Sequence, residues 1–235
     1  ENGMPKERYR NYHVERAKGG LGLTMTAGSA IVSPDSPATF GNLHAYKDEI
    51  VPWLKKLTNE CHEQGSKVMI QITHLGRRTN WNHSDWLPVL SASETREPAH
   101  RAFPKEAEDW DIKRIIKDYA DAASRMKDAN MDGIEIEAYG HFLDSFWSPA
   151  TNTRVDEYGG SLNNRTKFSI KVIEAIRKAV GKEFIVGVRM VADEDWKKGL
   201  TKEEGLKIVK KIIDTNKVDF LNIIRGHIDT DASLT

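Results

Sequence analysis

A chain of 235 residues, 39% hydrophobic and 30% charged, holds enough apolar material for one large domain or two small ones. Lys plus Arg balance Asp plus Glu at 35 each, so net charge gives no reason to expect nucleic acid or a membrane surface as a partner. The lone cysteine, Cys61, excludes an internal disulfide framework and fits a reducing, cytoplasmic setting, and no apolar run approaches membrane-spanning length.

The first residues, ENGMPKERYRNYH, are unlike a signal peptide and open on a turn, as though cut from something longer. LGLTMTA (21–27) predicts a first strand, followed by Gly28 in TAGSA. DEIVPWLKKLTNECHEQG then presents Ile50, Trp53, Leu54, Leu57 and Cys61 at helical spacing, with Gly65 as the stop. VMIQITH (68–74) predicts a second strand, and the insertion after it carries Trp81, Trp86 and Trp110. In DIKRIIKDYADAASRMKDA, Ile112, Ile115, Ile116, Tyr119, Ala122 and Met126 form one helical stripe. GIEIEA (133–138) alternates Ile134 and Ile136 with Glu135 and Glu137, as a strand does. Phe168, Val172, Ile176 and Val180 mark the next helix, and FIVGVRM (184–190) a fourth strand. Thr201 and Glu204 have the spacing of a reciprocal capping box, and DFLNII (219–224) predicts a fifth strand.

Strand–helix–strand alternation of this kind means a parallel sheet, either an open doubly wound sheet or a (β/α)8 barrel. No G-x-G-x-x-G links a strand to its helix, so the dinucleotide fingerprint is missing. Polar residues gather instead after the strands, in Gln71 to Arg78, Glu137 to Trp147, Arg189 to Trp196 and Arg225 to Asp229. A barrel builds its active face from such loops, so the fold expected is an incomplete TIM (β/α)8 barrel with five of eight strands. The loop leaving GIEIEA runs some twenty residues before the next helix; at that length, and with its aromatics, it reads as functional. His74, His141 and His227 each end a strand, but no His-x-His pair marks a metal site.

Three segments carry a family resemblance. DGIEIEAYGHFLDSFWSPATNTRVDEYGGSLNNRTKF resembles the fourth-strand motif of the Old Yellow Enzyme-like FMN oxidoreductases, QITHLGRR their third-strand motif and VGVRM their fifth, in the family's order and spacing. AYGHF and FWSPATN, with REPAHRAFPKEAEDWD, most resemble the branch that demethylates N-methylated amino acids, near trimethylamine dehydrogenase and 2,4-dienoyl-CoA reductase. The resemblance implies that the five strands are the second to sixth of the barrel, forming one partial FMN-binding domain over 1–235. The first, seventh and eighth strands, the FMN phosphate site, a cysteine cluster for a 4Fe–4S centre and an FAD or other nucleotide domain would then lie outside it.

The resemblance also implies roles. Gln71 would face the pyrimidine edge of the flavin ring; otherwise it is an amide satisfied by neighbouring backbone. Arg189 would stabilise negative charge at the flavin N1/C2 carbonyl, the alternative being a structural ion pair with Glu135 or Asp219. Gly28 would let backbone approach the ring, or is a simple turn glycine. Glu137, Tyr139 and His141 fall where the reductases grip a substrate carbonyl and donate a proton. A carboxylate at 137 holds a cationic amine instead, and a Tyr ring at 139 adds a cation–π face. His141 is either catalytic or a loop histidine capping backbone carbonyls. His227 would be an acid–base group, and Arg225 a fork for a substrate carboxylate, unless both are surface residues. The three tryptophans would roof the pocket or serve loop packing. YGGSLNNR reads as structural, with Gly159 and Gly160 turning the chain, Ser161 capping the helix, and Asn164 and Arg165 tying it to neighbouring loops.

The expected function is FMN-dependent oxidative N-demethylation of an N-methylated amino acid or related small amine. The alternatives are enoate or dienoyl-CoA reduction, and a non-catalytic barrel fragment unable to hold FMN. Small-molecule substrates are the expected partners, with assembly as a homo-oligomer left open.

Overall fold

Each long strand divides its side chains between an apolar face and a polar one, and that division decides the architecture. The computed structural model describes residues 2–79, 88–97 and 102–227. In chain order the elements are α1 Glu7–Lys18, β1 Leu23–Ile31, α2 Ile50–His62, β2 Lys67–Thr73, β3 Leu90–Ser91, β4 Lys105–Glu106, α3 Asp109–Asp128, β5 Gly133–Ala138, α4 Phe142–Ser145, α5 Leu162–Val180, β6 Ile185–Asp193, α6 Lys202–Asp214 and β7 Phe220–Arg225. One face of the main strands (Val68, Ile70, Ile72; Ile134, Ile136, Ala138; Val186, Val188, Met190) is buried in the core. It packs there with helix residues including Leu54, Leu57, Ile112, Ile115, Phe168, Val172, Ile208 and Ile212. The alternate positions, Gln71, Glu135, Glu137, Arg189 and Asn222, lie on the opposite face.

The main sheet is entirely parallel, in the order β1-β2-β5-β6-β7, so its neighbours follow the chain. A doubly wound sheet reverses its strand order at a switch point, and this one never does. Chain-ordered parallel strands, with the helices on one face and polar side chains on the other, form an arc of a (β/α)8 barrel. Among the described residues its edges, β1 and β7, each pair on one side. No helix among them is long and apolar enough to cross a membrane.

Several local expectations change. β1 runs on to Ile31, so Gly28 lies within the strand, where its register against β2 shifts between Thr26 and Ala30. Helix α1 is absent from the sequence reading because it buries only His13, Val14 and Ala17, too few positions to make a stripe. The two-residue strands β3 and β4 and the single turn of α4 are too short for any periodicity. Thr201 does cap α6, accepting from Glu204 N at 3.3 Å. The reciprocal half of that box is replaced, because the Glu204 carboxylate turns to Arg165.

The YGGSLNNR turn behaves as a structural joint. A Cβ at Gly159 would stand 2.0 Å from the Arg154 carbonyl oxygen, and Gly160 adopts φ +73. Ser161 accepts from Asn164 N at 3.3 Å, and the buried Arg165 donates to the carbonyls of Trp147 and Gly160 while pairing with Glu204. One guanidinium thus pins the end of the β5 exit loop to α6. Replacing it strands a buried carbonyl and unpairs a carboxylate, so Arg165→Met should cost about 2–4 kcal/mol in chemical denaturation. A loss below about 0.5 kcal/mol would mean that the joint is held by something else.

Candidate active site

The inner face of the arc carries a chain of polar contacts between strands. Ser29 Oγ donates to Gln71 Oε1 at 2.7 Å, Gln71 Nε2 to Glu135 Oε1 at 2.8 Å, and Asn222 Nδ2 to Glu135 Oε2 at 3.1 Å. The partners of Gln71 are therefore side chains, not backbone, and its carbonyl keeps a second lone pair. Glu137, two residues nearer the carboxyl end than Glu135, sits beside Arg189, with Oε2 3.4 Å from Nε. Arg189 thus pairs with neither Glu135 nor Asp219, the latter being taken by Arg177 at 2.7 Å. Its side chain is 37% exposed, whereas Glu137 is buried. Burial pushes the Glu137 carboxyl up to about 8; Arg189 pulls it down, and the charges of Glu135 and Asp144 add to the rise.

Beyond this layer the strand exits enclose a recess lined by Arg77, Glu97, Tyr139, His141, Asp144 and His227, among others. Tyr139 and His141, from the segment after β5, and His227, from the segment after β7, line this recess together; Arg225 does not. Its side chain is 67% exposed, and its guanidinium is engaged by Asp193 at 3.1 Å and Asp195 at 2.9 Å. The expected carboxylate fork therefore points away from the recess, while Arg77, which the sequence reading passed over, lines it. Arg77 is held by Nη1 bonds to the carbonyls of Thr95 and Arg96, each at 2.9 Å.

His141 does not cap carbonyls. Its Nδ1 lies 2.8 Å from Thr73 Oγ1, which also reaches the Glu137 carbonyl at 3.2 Å. Burial, with Arg78 and His74 adding, holds His141 well below the usual histidine range, so it is neutral at pH 7. Asp144, in the single turn of α4, accepts from Gly140 N at 2.7 Å and His141 N at 2.8 Å, and burial still lifts its carboxyl to about 6. Burial, helped by Arg77, lowers His227 to about 4.

His74, the third strand-ending histidine, lies outside this set. Its Nδ1 accepts from Gly76 N at 3.0 Å and its Nε2 lies 3.2 Å from Asp35, which Arg114 also grips. The His74 carbonyl accepts from Phe142 N at 2.9 Å, and a Cβ at Gly76 would stand 2.8 Å from Phe142 Cα. His74 is thus a post between the β2 and β5 exit loops. Trp110 stands 58% exposed at the start of α3 and does not line the recess; Trp81 and Trp86 lie outside the described residues. Sequence reasoning also missed Glu97, which follows an irregular stretch with no periodic signal, and the specific roles of Asp144 and Glu194 inside their polar segments.

Residues 1–233 match the family described as "NADH:flavin oxidoreductase / NADH oxidase family". The chain is 62% identical, over 235 residues, to a "Probable N-methylproline demethylase" of Rhizobium meliloti (strain 1021), covering 100% of this chain and 35% of that protein. It is 45% identical over 231 residues to a "Multifunctional alkene reductase/demethylase OYE" of Caballeronia cordobensis, covering 98% and 34%. It thus spans about a third of the length of these relatives. Its fold superposes on an Old Yellow Enzyme homologue from Zymomonas mobilis with TM-score 0.86 at 24% identity, over 98% of this chain and 67% of that one.

The raised Glu137 carboxyl has a consequence for stability. With the group moved from 4.5 to about 8 on folding, the native state keeps a proton that the unfolded chain has released. Its contribution is therefore fully present below about 4.5, falls as pH rises, and is lost above about 8. Denaturation at pH 5 and pH 8 should show a smaller difference in stability for Glu137→Gln than for wild type. Equal differences would put this carboxyl in contact with water.

Proposed function

The chain belongs to the NADH:flavin oxidoreductase / NADH oxidase family, and we propose that the complete protein oxidises the N-methyl group of an N-methylated amino acid, releasing formaldehyde. The observation carrying this reading is the 62% identity along the whole chain to a probable N-methylproline demethylase. A carboxyl group at 137 on the inner face, with Tyr139 in the recess, supports it, because the carboxyl, once ionised, offers an ammonium a counter-charge and the ring an aromatic face.

The residues present fit an FMN ring. Gln71 retains a carbonyl lone pair, Arg189 presents a partly exposed guanidinium at the same end of the sheet, and Gly28 precedes the Ser29 that orients Gln71. Bound there, FMN supplies a two-electron acceptor for hydride from the N-methyl carbon. The remaining work falls to side chains. A substrate ammonium must lose its N–H proton before hydride can leave, since the nitrogen lone pair forms the C=N bond; Glu137 is the acceptor. Water then adds to the iminium carbon, giving its proton to a neutral histidine, His227 or His141, and the N–C bond breaks to leave formaldehyde and the demethylated amine. The single cysteine, Cys61, is buried in α2, so any 4Fe–4S cluster, like an FAD-type site, would be held by residues outside 1–235. A cytoplasmic location belongs to the same proposal.

A second reading is favoured by one observation. With its carboxyl raised to about 8, Glu137 is largely protonated at neutral pH and can donate to a carbonyl oxygen, as alkene reduction requires. Both are tested on the complete flavoprotein by anaerobic absorption spectroscopy with N-methylproline. The flavin band should bleach with release of formaldehyde, and Glu137→Gln should slow bleaching by about a hundredfold or more. Bleaching by reduced nicotinamide, followed by reoxidation with an enoate and no response to the amine, would replace demethylation by alkene reduction. A colourless protein would remove both.

A further inference from the structure

One buried carboxylate at the recess has no role in the mechanism above. Glu194 follows β6 and is fully enclosed: Oε2 accepts from Ser148 Oγ at 2.6 Å and from Leu200 N, while the Glu194 backbone N–H donates to the Leu200 carbonyl at 3.0 Å. The loop is shaped around it, since a Cβ at Gly199 would stand 2.2 Å from Oε2. With Oε2 fixed, Oε1 is left facing the imidazole of His227, 3.5 Å from Nε2. The same loop lays the Trp196 ring on the imidazole, with centroids 4.5 Å apart and planes inclined by 26°. His227 is thus held at its edge by a carboxylate and on its face by an indole, both from the β6 exit.

We infer, taking His227 as the proton-transfer group proposed above, that Glu194 is its positioning residue and fixes the proton of the neutral ring on Nε2. A carboxylate accepts only, so it favours the tautomer whose N–H faces it, and the basic lone pair is then on Nδ1. The 3.5 Å separation is long for a hydrogen bond, as is common before a substrate closes a site. The charged and titratable groups lining the recess with His227 are Arg77 from the β2 exit, Tyr139, His141 and Asp144 from the β5 exit, Glu97, and Glu194 itself. Of these, Glu194 brings a carboxylate oxygen to 3.5 Å from the His227 ring.

The test uses the complete holoenzyme labelled with 15N-histidine, with His227 assigned by its loss in His227→Gln. Long-range proton–nitrogen correlation should find Nε2 protonated in wild type and Nδ1 protonated in Glu194→Gln, whose amide can present an N–H to the ring. Nδ1–H in the wild-type ring, or a tautomer indifferent to Glu194→Gln, would overturn the assignment without reference to turnover. In kinetics, Glu194→Gln should lower kcat/KM by about a hundredfold with bound flavin unchanged, and should cost nothing more in a His227→Gln background. Full activity of His227→Gln would remove the proton-transfer reading and this inference with it. An impaired His227→Gln beside a wild-type Glu194→Gln would remove the positioning role alone.

Discussion

Two glutamates at successive inward positions of one six-residue strand, Glu135 and Glu137, must be accommodated inside a parallel barrel arc. Buried carboxylates are costly unless they are paired and hydrogen-bonded. Glu135 is satisfied by uncharged donors, the amides of Gln71 and Asn222 from the strands on either side of the arc. Glu137 therefore meets the arc's guanidinium alone, with Arg189 directly opposite in the β5–β6 register. Burial, with the charges of Glu135 and Asp144 adding to it, outweighs Arg189 and raises this carboxyl to about 8.

The stability of the arc is kept apart from this polar face. The apolar alternation of the strands and the stripes of α2, α3, α5 and α6 form a single core on the other side. A change of inner-face side chain leaves that core intact, which is how one barrel can carry different chemistries. The long β5 exit loop is ordered by similar means without a large core of its own. Asp144 holds its start, Asn152 Nδ2 donates to the carbonyls of Phe146 and Tyr158, and Arg165 secures its end.

The sheet was legible because its signals are local. Apolar runs of strand length alternate with helical stripes, and Glu135 and Glu137 declare their shared face by spacing alone. What escaped is set by tertiary context. Nothing in α1, with three buried residues, distinguishes it from a polar lead-in. Arg225 lies two residues from His227 in sequence, but two aspartates, Asp193 and Asp195, capture its guanidinium. Glu204 has the spacing of a capping box, yet a buried arginine from another helix is the stronger partner. Glu194 sits in ADEDW among other acids, and only the packing of Gly199, Ser148 and Trp196 around it sets it apart.

The contact between Gly76 and Phe142 bears on how such barrels can be re-engineered. The two exit loops share a backbone hydrogen bond and a spacing that leaves no room for a methyl group. A loop exchanged between relatives to alter substrate range would carry its own demands at this seam. The exchangeable cassette is therefore residues 74–78 together with 139–146, and a graft of either half alone inherits a mismatch.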